Sequence, residues 1–386
     1  MISISTFFKS RKYFASASLY ACFSLIFSTW VTYIPYIAEK IGITEGRIGS
    51  AIFFSGVGAF FMIRICRHLI ERVGVGKYTY IAFIIYCCCF FGPFLAFNYT
   101  SLCIAMFIFG MAGSSYAISL NSLTATIEKQ DKAYIMTGSH GFWSIGGVIG
   151  ASTGSLIAAI FHNPILHISI LIIFLLALQT WLRKEYSFRI GEHVVKNKHS
   201  RNLKPLFVIA IVGLILMVSE GAIADWSALY LKKVLKIDLQ YIGFGYAAFA
   251  FAMTIGRFTG DALSKKLGSW QLLTYASFIS IFGFILVLIL IPYISLIGFF
   301  VVGIGFSVIV PEVYRLASNV KDVKTSDAVS FIAATSNIGF LLGPVFLGYL
   351  AELKSLHLSF FVLTFFVSIA FIIASSKNRI SRKLMV

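Results

Sequence analysis

Twelve long apolar stretches, parted by short polar ones, constrain this chain more than any other feature. They fall near residues 13–38, 46–66, 78–97, 100–126, 136–161 and 165–183, then near 205–231, 241–263, 270–291, 293–316, 327–351 and 355–376. A helix crossing a bilayer needs roughly 20 mostly apolar residues. Lipid offers no water to satisfy a broken backbone, and these stretches are too long for barrel strands, so they are predicted to be helices. Of the 386 residues, 12% are charged. A soluble domain carries about 25%, so too little polar surface exists for a water-exposed fold. The first stretch follows Lys9, Arg11 and Lys12 but shows no small-residue cleavage pattern, so it is expected to stay as the first span.

The formal net charge of +17 does not point to nucleic acid. Its basic residues lie in tracts between apolar runs: Arg67, Arg72 and Lys77; a stretch from Arg183 to Lys204; Lys265 and Lys266; Lys321 and Lys324; and Lys377 to Lys383. They alternate with loops such as Asn98-Tyr99-Thr100 that have no Lys or Arg. This pattern predicts both termini on the cytoplasmic side of the inner membrane, with anionic membrane lipids as partners of the basic loops. The six cysteines show no paired spacing of a zinc site. No Walker A or GxSxG motif occurs. No cofactor, metal or enzymatic activity is expected.

An internal repeat divides the chain. At a shift of 194 residues, 47–74 (RIGSAIFFSGVGAFFMIRICRHLIERVG) aligns without a gap on 241–268 (YIGFGYAAFAFAMTIGRFTGDALSKKLG). Ile43-Thr44 falls on Ile237-Asp238 as a helix N-cap position. Gly146-x3-Gly150 meets Gly339-x3-Gly343 at a shift of 193. Small residues at that spacing let helices approach closely. The expected organisation is an N-terminal six-helix bundle (1–183), a basic linker (184–204) and a C-terminal six-helix bundle (205–386). Repeated halves around a midplane site are the plan of many transporters.

The layout and GRFTGDALSKKLG (256–268) resemble the major facilitator superfamily. SEGAIADWSALYL (219–231), SHGFWSIGGVIGA (139–151) and GFLLGPVFLGYLAE (339–352) resemble its YbjJ-like branch of bacterial transporters. The resemblance implies an all-α, major-facilitator-type membrane protein of two pseudo-symmetric bundles, with a cavity lined by helices one, four, seven and ten. Three departures stand out. Arg67 occupies a position where the family carries an acid, which the second half keeps as Asp261. Ala117 stands where the branch has an acid in helix four. Glu312 and Arg315 replace apolar or small residues in helix ten.

Intramembrane charge costs about 2.5–3.5 kcal/mol on insertion scales and so needs a reason. Glu220, placed past the midplane of helix seven, is the first candidate for proton coupling, because desolvation favours a neutral carboxyl. Asp225 is the second, although five residues turn it about 140° away and a gating or helix-tying role suits it as well. Ser115, Ser119, Asn121 and Ser122 in helix four, Trp30 and Tyr33 in helix one, and Trp226 and Tyr230 in helix seven are candidate cavity residues, with Glu312. Arg67, Arg257, Asp261, Arg315 and Asp327 are candidate gating residues, with an Arg67–Asp327 pair expected to offset the lost acid. Glu312 and Arg315, three apart, are spaced to pair with each other. His140, read as the one histidine within a helix, is expected to be a packing group.

The function these features predict is secondary transport by a monomer, coupling protons to export of a small-molecule substrate. Uptake of a sugar-like or polar solute is the alternative. Export of a peptide- or nucleotide-like antibiotic is a special form of the first, and a non-transporting receptor or scaffold is the least favoured.

Overall fold

The computed structural model describes residues 4–133, 135–161, 163–186, 203–320, 323 and 325–383. Among these residues, after a short helix, Ile4–Lys9, come twelve helices long and apolar enough to span a membrane. They are α1 (Arg11–Ile41), α2 (Glu45–Val73), α3 (Val75–Leu95, interrupted at Phe90), α4 (Tyr99–Asp131), α5 (Met136–Phe161) and α6 (Pro164–Leu182). Then follow α7 (Phe207–Lys233), α8 (Phe244–Leu267), α9 (Ser269–Leu288), α10 (Pro292–Ser318, interrupted at Ser307–Val308), α11 (Thr325–Leu353) and α12 (Leu356–Lys383). Two compact units result: Met1–Val194 with Leu239–Gly243, and Val195–Asp238 with Phe244–Val386. Arg189, Lys196, Lys198 and Arg201 of the basic linker lie outside the described residues.

Local sequence sets the helix ends. Gly42 stops α1 in the left-handed conformation (φ 69°) and returns its N–H to the Ala38 carbonyl at 2.9 Å, which a residue with a Cβ adopts only at a cost. Asn98 starts α4 with a capping box shared with Ser101. Asn163 followed by Pro164 starts α6. Thr44 sits at the N-cap of α2 but makes no side-chain capping bond.

In the first unit α1 packs along α5, and α2 along α4. Glycine makes both approaches possible. A methyl on Gly146 would overlap the Ala21 carbonyl, and one on Gly110 would overlap the Ser55 carbonyl. The second unit repeats the scheme. Gly339 of α11 lies against Val218 of α7, where an added Cβ would meet Cγ2 at 3.0 Å, and Gly303 of α10 lies against the Phe249 carbonyl of α8. The shifts of 193 and 194 residues therefore join like positions. Gly74 and Gly268 even share a backbone conformation, with φ of 89° and 78°.

A bulky residue in these seams forces the backbones apart. Gly146→Leu should destabilise the protein by about 1–3 kcal/mol or more, read as a fall in thermal midpoint in detergent. An unchanged midpoint would show that the α1–α5 seam is not under this constraint.

Candidate functional site

Charge inside the spans concentrates on α7 and its neighbours. Glu220 stands thirteen residues from Phe207 and thirteen from Lys233. It therefore sits at the middle of the helix. Its Oε1 lies 3.9 Å from Nη2 of Arg257 on α8. Charge-assisted N–H···O bonds run about 2.7–2.9 Å, so this is an ion pair with slack. Glu220 Oε2 is buried and has no hydrogen-bond partner among the described residues.

Four further polar groups accompany it. Asp225 is 6% exposed. The phenol of Tyr246 on α8 lies within electrostatic range of Glu220, Arg257 and Asp225 together. Next in the chain, buried Trp226 Nε1 and Ser227 Oγ lack hydrogen-bond partners among the described residues. Leaving such donors unpaired costs about 1–3 kcal/mol each. A site that binds polar groups accounts for that cost; a packing surface does not.

On α10 the expected pairing is present: the Arg315 guanidinium donates to Glu312 Oε1 and to Ser264 Oγ of α8. Glu312 is buried, its second oxygen lacking a partner among the described residues. The pair ties α10 to α8.

Several cavity candidates have partners within their own bundle. The Ser115 hydroxyl lies 2.7 Å from the Tyr78 hydroxyl, and Ser119 donates to the Tyr116 carbonyl at 3.0 Å. Tyr33 places its hydroxyl 3.0 Å from His167 Nδ1 and its ring against Phe94. Buried Trp30 also packs edge-on to Phe94. Tyr230 donates to the Val287 carbonyl at 3.0 Å and approaches His357 Nδ1 at 3.2 Å. In each case a bundle partner already uses the polar atom or ring. Asn121 differs: it is exposed, and its Oδ1 accepts from Tyr20 at 2.8 Å. Ser122 is half-buried beside it, its carbonyl accepting from Thr126.

Among the gating candidates, exposed Arg67 pairs with Glu71 one turn on, at 2.9 Å. The side chains of Asp261 and Asp327 lie outside the described residues. At the start of α5 an acid is present from an unexpected source: Glu128 Oε1 accepts from the Met136 N–H at 2.7 Å, a favourable place for negative charge. His140 packs against Tyr20, with ring centroids 4.9 Å apart. It is not alone, since His68, His167 and His357 are also helical. The Tyr33–His167 and Tyr230–His357 pairs escaped notice in the sequence. Their signal was a tyrosine late in helices one and seven, with a histidine early in helices six and twelve.

Among the described residues, twelve helices long and apolar enough to cross a membrane mark this chain as a multi-pass membrane protein. Residues 16–324 match the Major Facilitator Superfamily, and the chain belongs to that family. It is 28% identical over 344 residues to an uncharacterized MFS-type transporter of Yersinia pestis, covering 86% of this chain and 87% of that one. It is 25% identical over 353 residues to the membrane protein MosC of Rhizobium meliloti, covering 91% and 85%. Among solved structures it resembles a mutant of the nucleoside transporter NupG, with a TM-score of 0.75 at 13% identity, covering 95% of this chain and 99% of that one. It also resembles an inward-facing bacterial homologue of the human lysosomal transporter Spinster, with a TM-score of 0.70 at 14% identity, covering 95% and 96%. Members of the family are transporters, not enzymes.

The α7–α8 pair sets an energetic order. Arg257→Ala leaves Glu220 buried without its cation and should lower the thermal midpoint more than Glu220→Gln, which keeps shape without charge. The double-mutant cycle should return a coupling of about 0.5–3 kcal/mol. Strict additivity would show that the two side chains do not interact.

Proposed function

We propose that this chain is a secondary active transporter working by alternating access, coupling proton movement to export of a small organic compound across the inner membrane. The observation that carries the reading is Glu220: a carboxyl at the centre of a spanning helix, in slack contact with Arg257, with one oxygen unpartnered among the described residues. Moving a proton onto Glu220 weakens the ion pair, and removing it restores the attraction. The pair thus gives the second unit two electrostatic states. Asp225, close enough for Tyr246 to sense both acids, is the second proton acceptor in this scheme. Membership of the YbjJ-like branch and cytoplasmic termini belong to the same reading, supported by the quoted segments and the basic loops.

Uptake of a polar solute is the second reading. Exposed Asn121, held by Tyr20, favours it, as does the fold shared with a protein named as a nucleoside transporter.

The decisive measurement is transport in proteoliposomes under an imposed proton gradient, with a compound panel presented on either side. Glu220→Gln should reduce gradient-driven flux by about 100-fold or more, while counterflow without a gradient falls much less. Gradient-driven flux at the wild-type rate in the variant would remove Glu220 from coupling.

A further inference from the structure

A cavity of about 90 Å³ lies inside the second unit, between α7, α10 and α11. Its walls include Met217, Val313, Ile332 and Phe340, with Tyr314 and Ser336 as the polar members. The space depends on Gly213, where a side chain would press against Val313 Cγ1 at 3.1 Å. Met217 precedes Glu220 by three residues, so the two share a face of α7. Phe340 reaches the same level, its ring carbons 3.1 Å from where a Cβ on Gly221 would stand. An apolar space thus runs along one stripe of α7, with a carboxyl one turn from its wall.

Among the described residues, the charges at that level do not cancel. Two acids, Glu220 and Asp225, and one guanidinium, Arg257, lie within electrostatic range of the Tyr246 phenol, one negative charge in excess among them when both acids are ionised. The slack ion pair leaves Glu220 Oε2, a buried acceptor, without a hydrogen-bond partner among the described residues. An ammonium brings three donors and a compact charge to such an oxygen. A carboxylate ligand would meet the excess negative charge, and a neutral alcohol would return only part of the missing interaction. The cavity, apolar over most of its wall, suits a ring rather than a second polar group.

We propose that the second bundle binds a protonated amine that carries an apolar or aromatic ring, with the ammonium at Glu220 and the ring in the cavity between α7, α10 and α11. This assignment rests on the reading of Glu220 as part of the transport site and names the substrate class of that site.

Three probes share one ring and differ in charge near neutral pH: tryptamine, indole-3-ethanol and indole-3-acetate. Equilibrium binding to the purified full-length chain in detergent, followed by calorimetry, should favour tryptamine over the other two by about ten- to a hundredfold. Glu220→Gln should abolish that preference. Ser336→Leu, which fills the cavity, should weaken tryptamine by about tenfold or more. Ile332→Phe serves the same purpose should Ser336→Leu lose its cooperative thermal transition. Equal binding of the three probes, no binding of any, or a preference that survives Glu220→Gln overturns the proposal. None of these results depends on flux. Intact tryptamine selectivity without gradient-driven transport would instead sink the coupling reading and leave the site standing.

Discussion

Helix backbones in each bundle touch at carbonyl distance, and the rest of the structure depends on that contact. Lipid tails are as apolar as the leucines that face them, so burying a leucine inside the bundle gains little by itself. Close van der Waals contact and interhelical hydrogen bonds must hold the helices together. Gly146 on Ala21, Gly110 on Ser55 and Gly303 on Phe249 supply that contact. Once the seams are closed, side chains between them are locked among fixed neighbours. Tyr116 can then donate to the Leu19 carbonyl at 2.8 Å, and Gln179 to Ser18 at 2.9 Å, in places where a wrong partner would leave a polar group in hydrocarbon. Such a frame can tolerate a charged residue halfway along a helix.

Against that frame the two bundles use polarity differently. In the first, hydroxyls and amides close on one another: Ser16 with Thr124, Ser115 with Tyr78, Tyr20 with Asn121. Among the described residues, the buried polar atoms without partners are hydroxyls alone in the first, Ser24 Oγ and Ser139 Oγ, but include carboxylate oxygens in the second, Glu220 Oε2 and Glu312 Oε2. The difference follows from charge. A hydroxyl can turn to find a carbonyl on its own helix, as Ser119 does. A carboxylate needs a cation or several donors, and among the described residues Arg257 is the cation that approaches Glu220, at 3.9 Å.

The spans, the repeat and the glycine seams were legible in the sequence because each is a property of one helix or of a fixed spacing. Gly74 and Gly268 aligned as letters and turned out to share a positive φ. Glu220 was legible too, since any acid amid apolar residues stands out. What the sequence withheld was partner choice across helices. Arg257 sits 37 residues from Glu220 on another helix, and no periodicity within either joins them. The serines of α4 looked like a polar wall, yet for Ser115 the answer lay in a tyrosine on α3. Glu128 stands on the same helix but serves the start of α5. Its role depends on the turn at Lys132, whose positive φ (50°) brings the chain back.

The two Tyr–His pairs carry a practical consequence for anyone following this protein with spectroscopic rulers. Tyr33 is pinned to His167 at 3.0 Å and Tyr230 to His357 at 3.2 Å, both from buried phenols. A pin of this kind couples the end of α1 to the head of α6, and the end of α7 to the head of α12. Spin labels or fluorophores placed across either pin should report a constant separation through a working cycle. They supply an internal zero for each bundle, so that distance changes recorded elsewhere can be assigned to motion and not to drift of the label.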